Sequence, residues 1–188
     1  VHVCTGLYSG AQVQQEHLMG MIPAPPADSS LRYAAELLSV IIGDYTGSRM
    51  YWEIVDPGFA DSADFGYAEY DGSGAYLYYI SCAPEDVDVN LSRLDEILQE
   101  VMTGGVTANE IEQARNKVAS RIVLASERPM GRLGSLGGNW VYRNEYRSVE
   151  ADLETIKNLT ASDLQKLLKA YPLSQTTIVG IGPREELV

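Results

Sequence analysis

Two aromatic-rich runs, Asp64 to Tyr70 and Ala75 to Cys82, flank the tetrapeptide Asp71-Gly72-Ser73-Gly74. Asp-Gly between β-forming runs specifies a tight hairpin, because a short loop that matches the twist of its strands needs residues at ease with positive φ. No other feature limits the fold as much. It demands an antiparallel pair in a chain whose remaining segments are mostly helical in period, so the strict alternation of a parallel βαβ sheet is excluded.

The remaining segments fit around that hairpin. Val1 to Tyr8 is β-branched and apolar enough for a short strand, and Gln12 to Ile22 reads as a second. Pro23-Ala24-Pro25-Pro26 should stop its ladder, since proline has no N–H to donate. Asp28-Ser29-Ser30 offer N-caps to a helix whose apolar positions run from Leu31 to Ile42, with Gly43 expected in a left-handed C′ conformation. A shorter helical piece, Ser48 to Val55, ends at Asp56-Pro57-Gly58. Pro84 opens a long amphipathic helix closed by Gly104-Gly105. Thr107 and Glu110 form a capping box that starts the next helix. Met130 to Tyr142 is helical but glycine-rich. Ser148 caps a short helix to Lys157, Thr160 and Asp163 begin another, and Thr176 to Ile181 is a last strand. This order predicts an α+β fold, a mainly antiparallel sheet with helices packed on one face, in one domain over residues 1–188.

Composition narrows the function. The 188 residues are 45% hydrophobic, so a core can form, and at this size no disulfide or metal staple is needed. Lys and Arg number 14 against 26 Asp and Glu, a net charge of -12. Nucleic acid and anionic membrane surfaces are therefore excluded as expected partners, because both require a surplus of cations. No run is long and apolar enough to span a bilayer. No signal segment follows Val1, which reads as the start of an excised domain or processed chain. These residues say little about compartment, and the cytoplasm is marginally favoured.

The catalytic inventory is thin. The two histidines, His2 and His17, lie far apart, and Val13-Gln14-Gln15-Glu16-His17 misses the inverted His-x-x-Glu-His zinc pattern at Val13. Cys4 and Cys82 read as buried thiols, without an orienting third group for nucleophilic chemistry. Glu85, Asp86 and Asp88 sit at a helix start, where the dipole favours them. Gly131, Gly134, Gly137 and Gly138 lack the Lys-Ser/Thr ending of a phosphate loop, and close helix packing against a neighbour is the expected role. No catalytic residue and no metal site are expected in this chain.

The order of segments from Val13 to Pro183 resembles the C-terminal, non-catalytic half of the pitrilysin and mitochondrial-processing-peptidase family of inverted-motif zinc peptidases. Four places carry the likeness: Gln15 to Pro25; Leu37 to Gly43 followed by Gly47-Ser48-Arg49-Met50-Tyr51; Thr107-Ala108-Asn109-Glu110-Ile111-Glu112-Gln113-Ala114-Arg115; and Leu159 to Leu164 with Val179-Gly180-Ile181-Gly182-Pro183.

The resemblance implies a non-catalytic, substrate-enclosing domain that works with a zinc-binding half, in the same polypeptide or a separate subunit. Zinc is then expected on that half and no cofactor in this chain, which alone should be inactive. The alternative is a catalytically dead structural or interaction domain of the same fold. Many active members supply an Arg and, a few residues on, a Tyr near the substrate. Those positions fall here on Val55 and on Asp61 or Ser62. The hairpin region that follows is expected to line the substrate chamber, with Tyr67, Glu69 and Tyr70 as peptide-binding residues beside Asp61, Asp64 and Asp71.

Overall fold

The structure is a computed structural model that describes residues 13–187. The strand expected over Val1 to Tyr8, with His2 and Cys4, lies outside the described residues. Four strands, β1 (Glu16–Ala24), β2 (Ser62–Glu69), β3 (Gly74–Cys82) and β4 (Thr177–Ile181), form one sheet in the order β2-β3-β1-β4. Every neighbouring pair is antiparallel. Six α-helices complete the described chain: α1 (Arg32–Gly43), α2 (Val87–Gly104), α3 (Ala108–Ser126), α4 (Pro129–Arg143), α5 (Val149–Asn158) and α6 (Ala161–Ala170). The fold is α+β.

The hairpin closes as its sequence requires. Gly72 takes a φ of 65°, and the Tyr70 N–H donates to the Ser73 carbonyl at 2.8 Å. Strand alternation then sorts side chains between two faces. Leu18 and Ile22 of β1, Phe65 of β2, and Tyr76, Tyr78 and Ile80 of β3 point to the helices and join Leu37, Leu38 and Ile42 of α1 in the core. Leu94, Ile97, Leu98 and Val101 of α2, Ile111 and Val118 of α3, and Leu164 and Leu167 of α6 extend it. Each such buried side chain contributes about 1.5–3 kcal/mol relative to exposure. The opposite face of the sheet carries His17, Met19, Met21, Leu77, Tyr79, Val179 and Ile181, and the described helices leave it uncovered.

Several local expectations are corrected. β1 runs through Pro23 to Ala24 instead of stopping at the prolines. β4 pairs only as far as Met21, so beyond it β1 has one free edge, where proline's missing N–H costs no ladder bond. The first helix has Leu31 as its N-cap, while Ser29 Oγ accepts from the Leu31 N–H at 3.1 Å. Gly43 is not left-handed. It is the last residue of α1, and a Cβ there would lie 2.3 Å from Phe65 Cβ and 2.4 Å from Phe65 N. Glycine is needed because the helix touches β2, not because the backbone turns. Residues Tyr51–Val55 wind as a π-helix, and Pro84–Asp86 form a 3-10 turn ahead of α2.

The caps follow the sequence closely. Thr107 Oγ1 accepts from the Glu110 N–H at 3.2 Å, and Glu110 Oε2 accepts from the Thr107 N–H at 2.7 Å. Ser148 Oγ accepts from the Ala151 N–H, and Asp163 accepts from the Thr160 N–H at 3.0 Å. Glu110 also receives Arg49, with Nε to Oε1 at 2.8 Å and Nη2 to Oε2 at 3.2 Å. The Ser48-Arg49 segment and the Thr-x-x-Glu segment, separate in sequence, are thus one forked ion pair in space.

The glycine-rich helix departs most from its expected role. Only Gly131 is tightly packed, with an added Cβ falling 2.3 Å from the Ala125 carbonyl oxygen. At Gly134, Gly137 and Gly138 a Cβ would meet nothing within 4 Å. No described element of this chain is the neighbour those glycines were expected to admit.

Candidate functional site

Tyr67 and Glu69 lie two residues apart on β2, so alternation turns both toward the helix layer. There they wall a cavity of about 360 Å³ with Arg32, Tyr33 and Glu36 of α1, Arg121 and Ile122 of α3, and Gly134 and Gly138 of α4. Tyr70, at the hairpin tip, is exposed and outside this cavity. Asp64 belongs to the alternate set of β2 and faces away from Tyr67, while Asp71 lies in the turn. The acidic and aromatic stretch that looks continuous in sequence is therefore divided among two sheet faces and a loop.

Inside the cavity, charge is largely committed to neighbours. Arg32 Nη1 donates to Glu69 Oε1 at 2.8 Å, and its Nη2 donates to the Tyr33 hydroxyl at 2.6 Å. The Arg32 guanidinium also sits 4.2 Å from the Tyr33 ring centroid. The Tyr33 hydroxyl donates to Asp152, which accepts from Arg147 Nε at 2.8 Å. This chain of contacts ties β2, α1 and α5 together. The Tyr67 hydroxyl donates to the Pro25 carbonyl at 2.7 Å. Burial, then the negative charge of Glu69, pushes the Tyr67 phenol well above its ordinary value of 10.0, so it remains a donor.

Glu36 is the exception. Among the described residues its carboxylate has neither a hydrogen bond nor an ion pair, and burial raises its pKa above the ordinary 4.5. Arg121, whose positive charge opposes that shift, is bound to Asp44. Burial and the bond to Asp152 likewise raise the Tyr33 phenol. Arg32, Tyr33, Glu36 and Asp152 were not singled out from sequence. The only signal was the i, i+4 placement of Arg32 and Glu36 on α1.

Elsewhere, His17 shares a 2.7 Å hydrogen bond with the Tyr79 hydroxyl on the open sheet face. Cys82 is a free, buried thiol whose pKa burial pushes up, the reverse of an activated nucleophile. Among the described residues no cluster of His, Cys, Asp and Glu could hold a metal ion. Val55 ends the π-helix against the core, and Asp61 accepts from Gln15 Nε2. Val55 and Asp61 therefore supply no cation and phenol that could stabilise a developing oxyanion. The arrangement can hold a ligand by shape and charge, but its groups are disposed as wall and counter-ion.

Comparison with known proteins agrees with this inventory. A family profile described as the peptidase M16 inactive domain matches residues 7–118. An uncharacterized zinc protease of Rickettsia bellii is 28% identical over 152 residues, which take in 80% of this chain and 37% of that protein. Another, from Mycobacterium tuberculosis, is 25% identical over 171 residues, 90% of this chain and 39% of that protein. The fold is similar to the peptidase M16 inactive domain from Pseudomonas fluorescens, with a TM-score of 0.86 and 18% identity, over 99% of this chain and 44% of that one. It is also similar to a chain of complex III2 from Candida albicans, with a TM-score of 0.87 and 14% identity, over all of this chain and 47% of that one. The chain spans less than half the length of the curated relatives it matches. With more than half of its residues matched by the profile, the chain belongs to the peptidase M16 inactive-domain family.

Proposed function

We propose that this chain is one domain and forms the non-catalytic, substrate-enclosing half of a zinc-dependent peptidase-like protein, with zinc held by a second half in the same polypeptide or in a separate subunit. The observation that carries the reading is the uncovered sheet face. Met19, Met21, Val179 and Ile181 project from neighbouring strands with His17 and Tyr79 among them, and all six described helices pack on the other side. A wall that faces a chamber needs such a surface, firm because its central strands β1 and β3 are held by neighbours and apolar enough to hold an extended peptide. The names of the relatives, zinc proteases more than twice the length of the matched region, support a metal on the other half.

Separate from that face, at the hairpin end of the sheet, Tyr67 and Glu69 on the helix side and the exposed Tyr70 are the further proposed peptide contacts. The experiment joins this chain to a zinc-binding half and measures cleavage and binding of basic and acidic peptides, with Tyr67→Ala, Glu69→Ala and Tyr70→Ala compared with the parent. Cleavage that requires this chain, with a preference for basic peptides that weakens in the variants and in salt, is the expected result. Cleavage by the zinc half alone at the same rate overturns the enclosing role. The second reading, a catalytically dead scaffold, is favoured by Val55 at the family's Arg position and by Asp61 or Ser62 at its Tyr position. It gains if no zinc-binding half yields cleavage with this chain.

A further inference from the structure

Three carboxylates line the cavity between β2, α1 and α4, and two of them are spoken for. Arg32 holds Glu69, and Arg147 holds Asp152. Glu36 alone has no bonded cation among the described residues. The charges that bear most on it are Arg121 and Arg32 against Glu69 and Asp44, two of each sign, and they are already joined in pairs. Lys117 also binds Asp44, but it does not line this cavity. Glu36 is half-buried at the lining and not sealed in the core, so a group that enters the cavity can reach it. A carboxylate drawn partly out of water without a partner is costly, and a cation placed beside it relieves that cost.

The glycines of α4 supply an independent observation. Gly134 and Gly138 lie one helical turn apart, so they share a face, and both line this cavity. Glycine inside a helix is destabilising relative to alanine. Here neither close packing nor a positive φ accounts for it, since a Cβ at either position would meet nothing within 4 Å. Their effect is to leave one wall without side chains. The resulting space, about 360 Å³, is near the lower end of the roughly 300–1,000 Å³ of ligand sites, which suits one long side chain. Ile122 and the Tyr67 ring border it with apolar surface. Lysine and arginine need that combination, apolar contact for the stem and an anion for the head.

We infer that the cavity receives the side chain of a lysine or arginine of a bound peptide, with its methylenes against Ile122 and Tyr67 and its cationic head at Glu36, in room kept open by Gly134 and Gly138. This rests on the reading of the chain as a peptide-enclosing wall, and it adds the residue that senses charge. Glu36, whose charge is uncommitted, is a stronger discriminator than Glu69, which Arg32 already neutralises.

The test is an NMR titration of the 188-residue chain with Nα-acetyl-lysine amide and Nα-acetyl-arginine amide, beside the norleucine amide as uncharged counterpart. At least one cationic probe should bind with a dissociation constant on the order of 1 mM and shift the Gly134 and Gly138 amides. It should bind at least about tenfold more tightly than norleucine. Glu36→Gln keeps the shape, removes the charge and should erase that preference. Gly134→Leu should block every probe. Leucine is the better helix former and enters open space, so misfolding does not explain the loss. No saturable shift up to about 20 mM overturns the assignment. So does equal binding of norleucine, a preference that survives Glu36→Gln, or binding that Gly134→Leu leaves unchanged. Tighter binding of n-butylammonium than of the lysine amide gives the cavity to free amines and overturns it as well. Because no zinc-bearing half takes part, failure here is separate from failure of the enclosing role: a chain that is still required for cleavage keeps that role and loses only this pocket.

Discussion

Removing the fork between Arg49 and Glu110 should reveal how strongly two segments of the family pattern depend on each other. The Arg49 and Glu110 side chains are 19% and 25% exposed, so little solvent screens their two hydrogen bonds. Loss of one partner of a charged, partly buried bond costs about 1.5–3 kcal/mol. Glu110→Ala also loses the cap on the Thr107 N–H, worth about 1 kcal/mol. The expected costs are about 2 kcal/mol for Arg49→Ala, about 3 for Glu110→Ala, and about 3.5 for the double variant, leaving a coupling of about 1.5 kcal/mol. Urea unfolding of the four proteins at pH 7 measures it. A coupling below about 0.5 kcal/mol would refute the idea that the fork joins the segments. Acid supplies a second check. Partial burial disfavours the Glu110 anion, but Arg49 and the Thr107 N–H and hydroxyl outweigh it and hold the group below its ordinary 4.5. A depressed carboxyl contributes stability that is fully present above the unfolded value and is lost as pH falls through the folded one. The parent should lose stability below about pH 4.5 more steeply than Glu110→Gln.

Gly43→Ala should destabilise by about 1–3 kcal/mol despite the better helix propensity of alanine, because its Cβ strikes Phe65; a rise in the urea midpoint would contradict that contact. Asp163 is drawn down to about 2 by the Thr160 hydroxyl, by Lys166 and by the Thr160 N–H, so its contribution at the start of α6 should be fully present above the ordinary 3.8 and lost progressively as pH falls from there through about 2, as an NMR titration of the carboxyl can follow. In a Cys4→Ser background, Cys82 should react with a thiol reagent at least about a hundredfold more slowly in the native protein than in denaturant. Dialysis of the purified chain against zinc should leave no near-stoichiometric metal; retention would reopen Glu16 and His17 as ligands.

Features governed by near neighbours were legible in the residues. The hairpin at Asp71-Gly72 and the caps at Thr107, Ser148 and Thr160 need only contacts a few positions apart, and each forms as read. Gly43 shows the limit: the residue was informative, but its reason lies on β2 and no local pattern contains Phe65. The cavity was hidden for the same cause. Tyr33 and Asp152 meet across more than a hundred residues, and only the folded chain makes the two a donor and acceptor pair. For α4, the helix and its glycines were legible but not the outward turn of Met130, Leu133, Trp140 and Val141, because direction is set by what the rest of the chain leaves uncovered. Tyr67 and Glu69 were identifiable as a pair on one face of a strand, while their bonds to Pro25 and Arg32 were not.

The strand order has a consequence for how this chain acquires its shape. β1, close to the start, is completed on one side by a hairpin that closes across a few residues and on the other by β4, whose Val179 pairs with Met19 some 160 residues earlier. Closing a loop of that length costs about 3 kcal/mol more than closing the hairpin. During synthesis the hairpin can pair as soon as it emerges, whereas β1 must wait with one edge open until β4 has followed. Gly20 and Tyr78 dock across the β1–β3 pair, and the Tyr78 hydroxyl then meets Thr176 at the threshold of β4. The last strand is therefore the keystone of the sheet, securing a strand some 160 residues earlier in the chain.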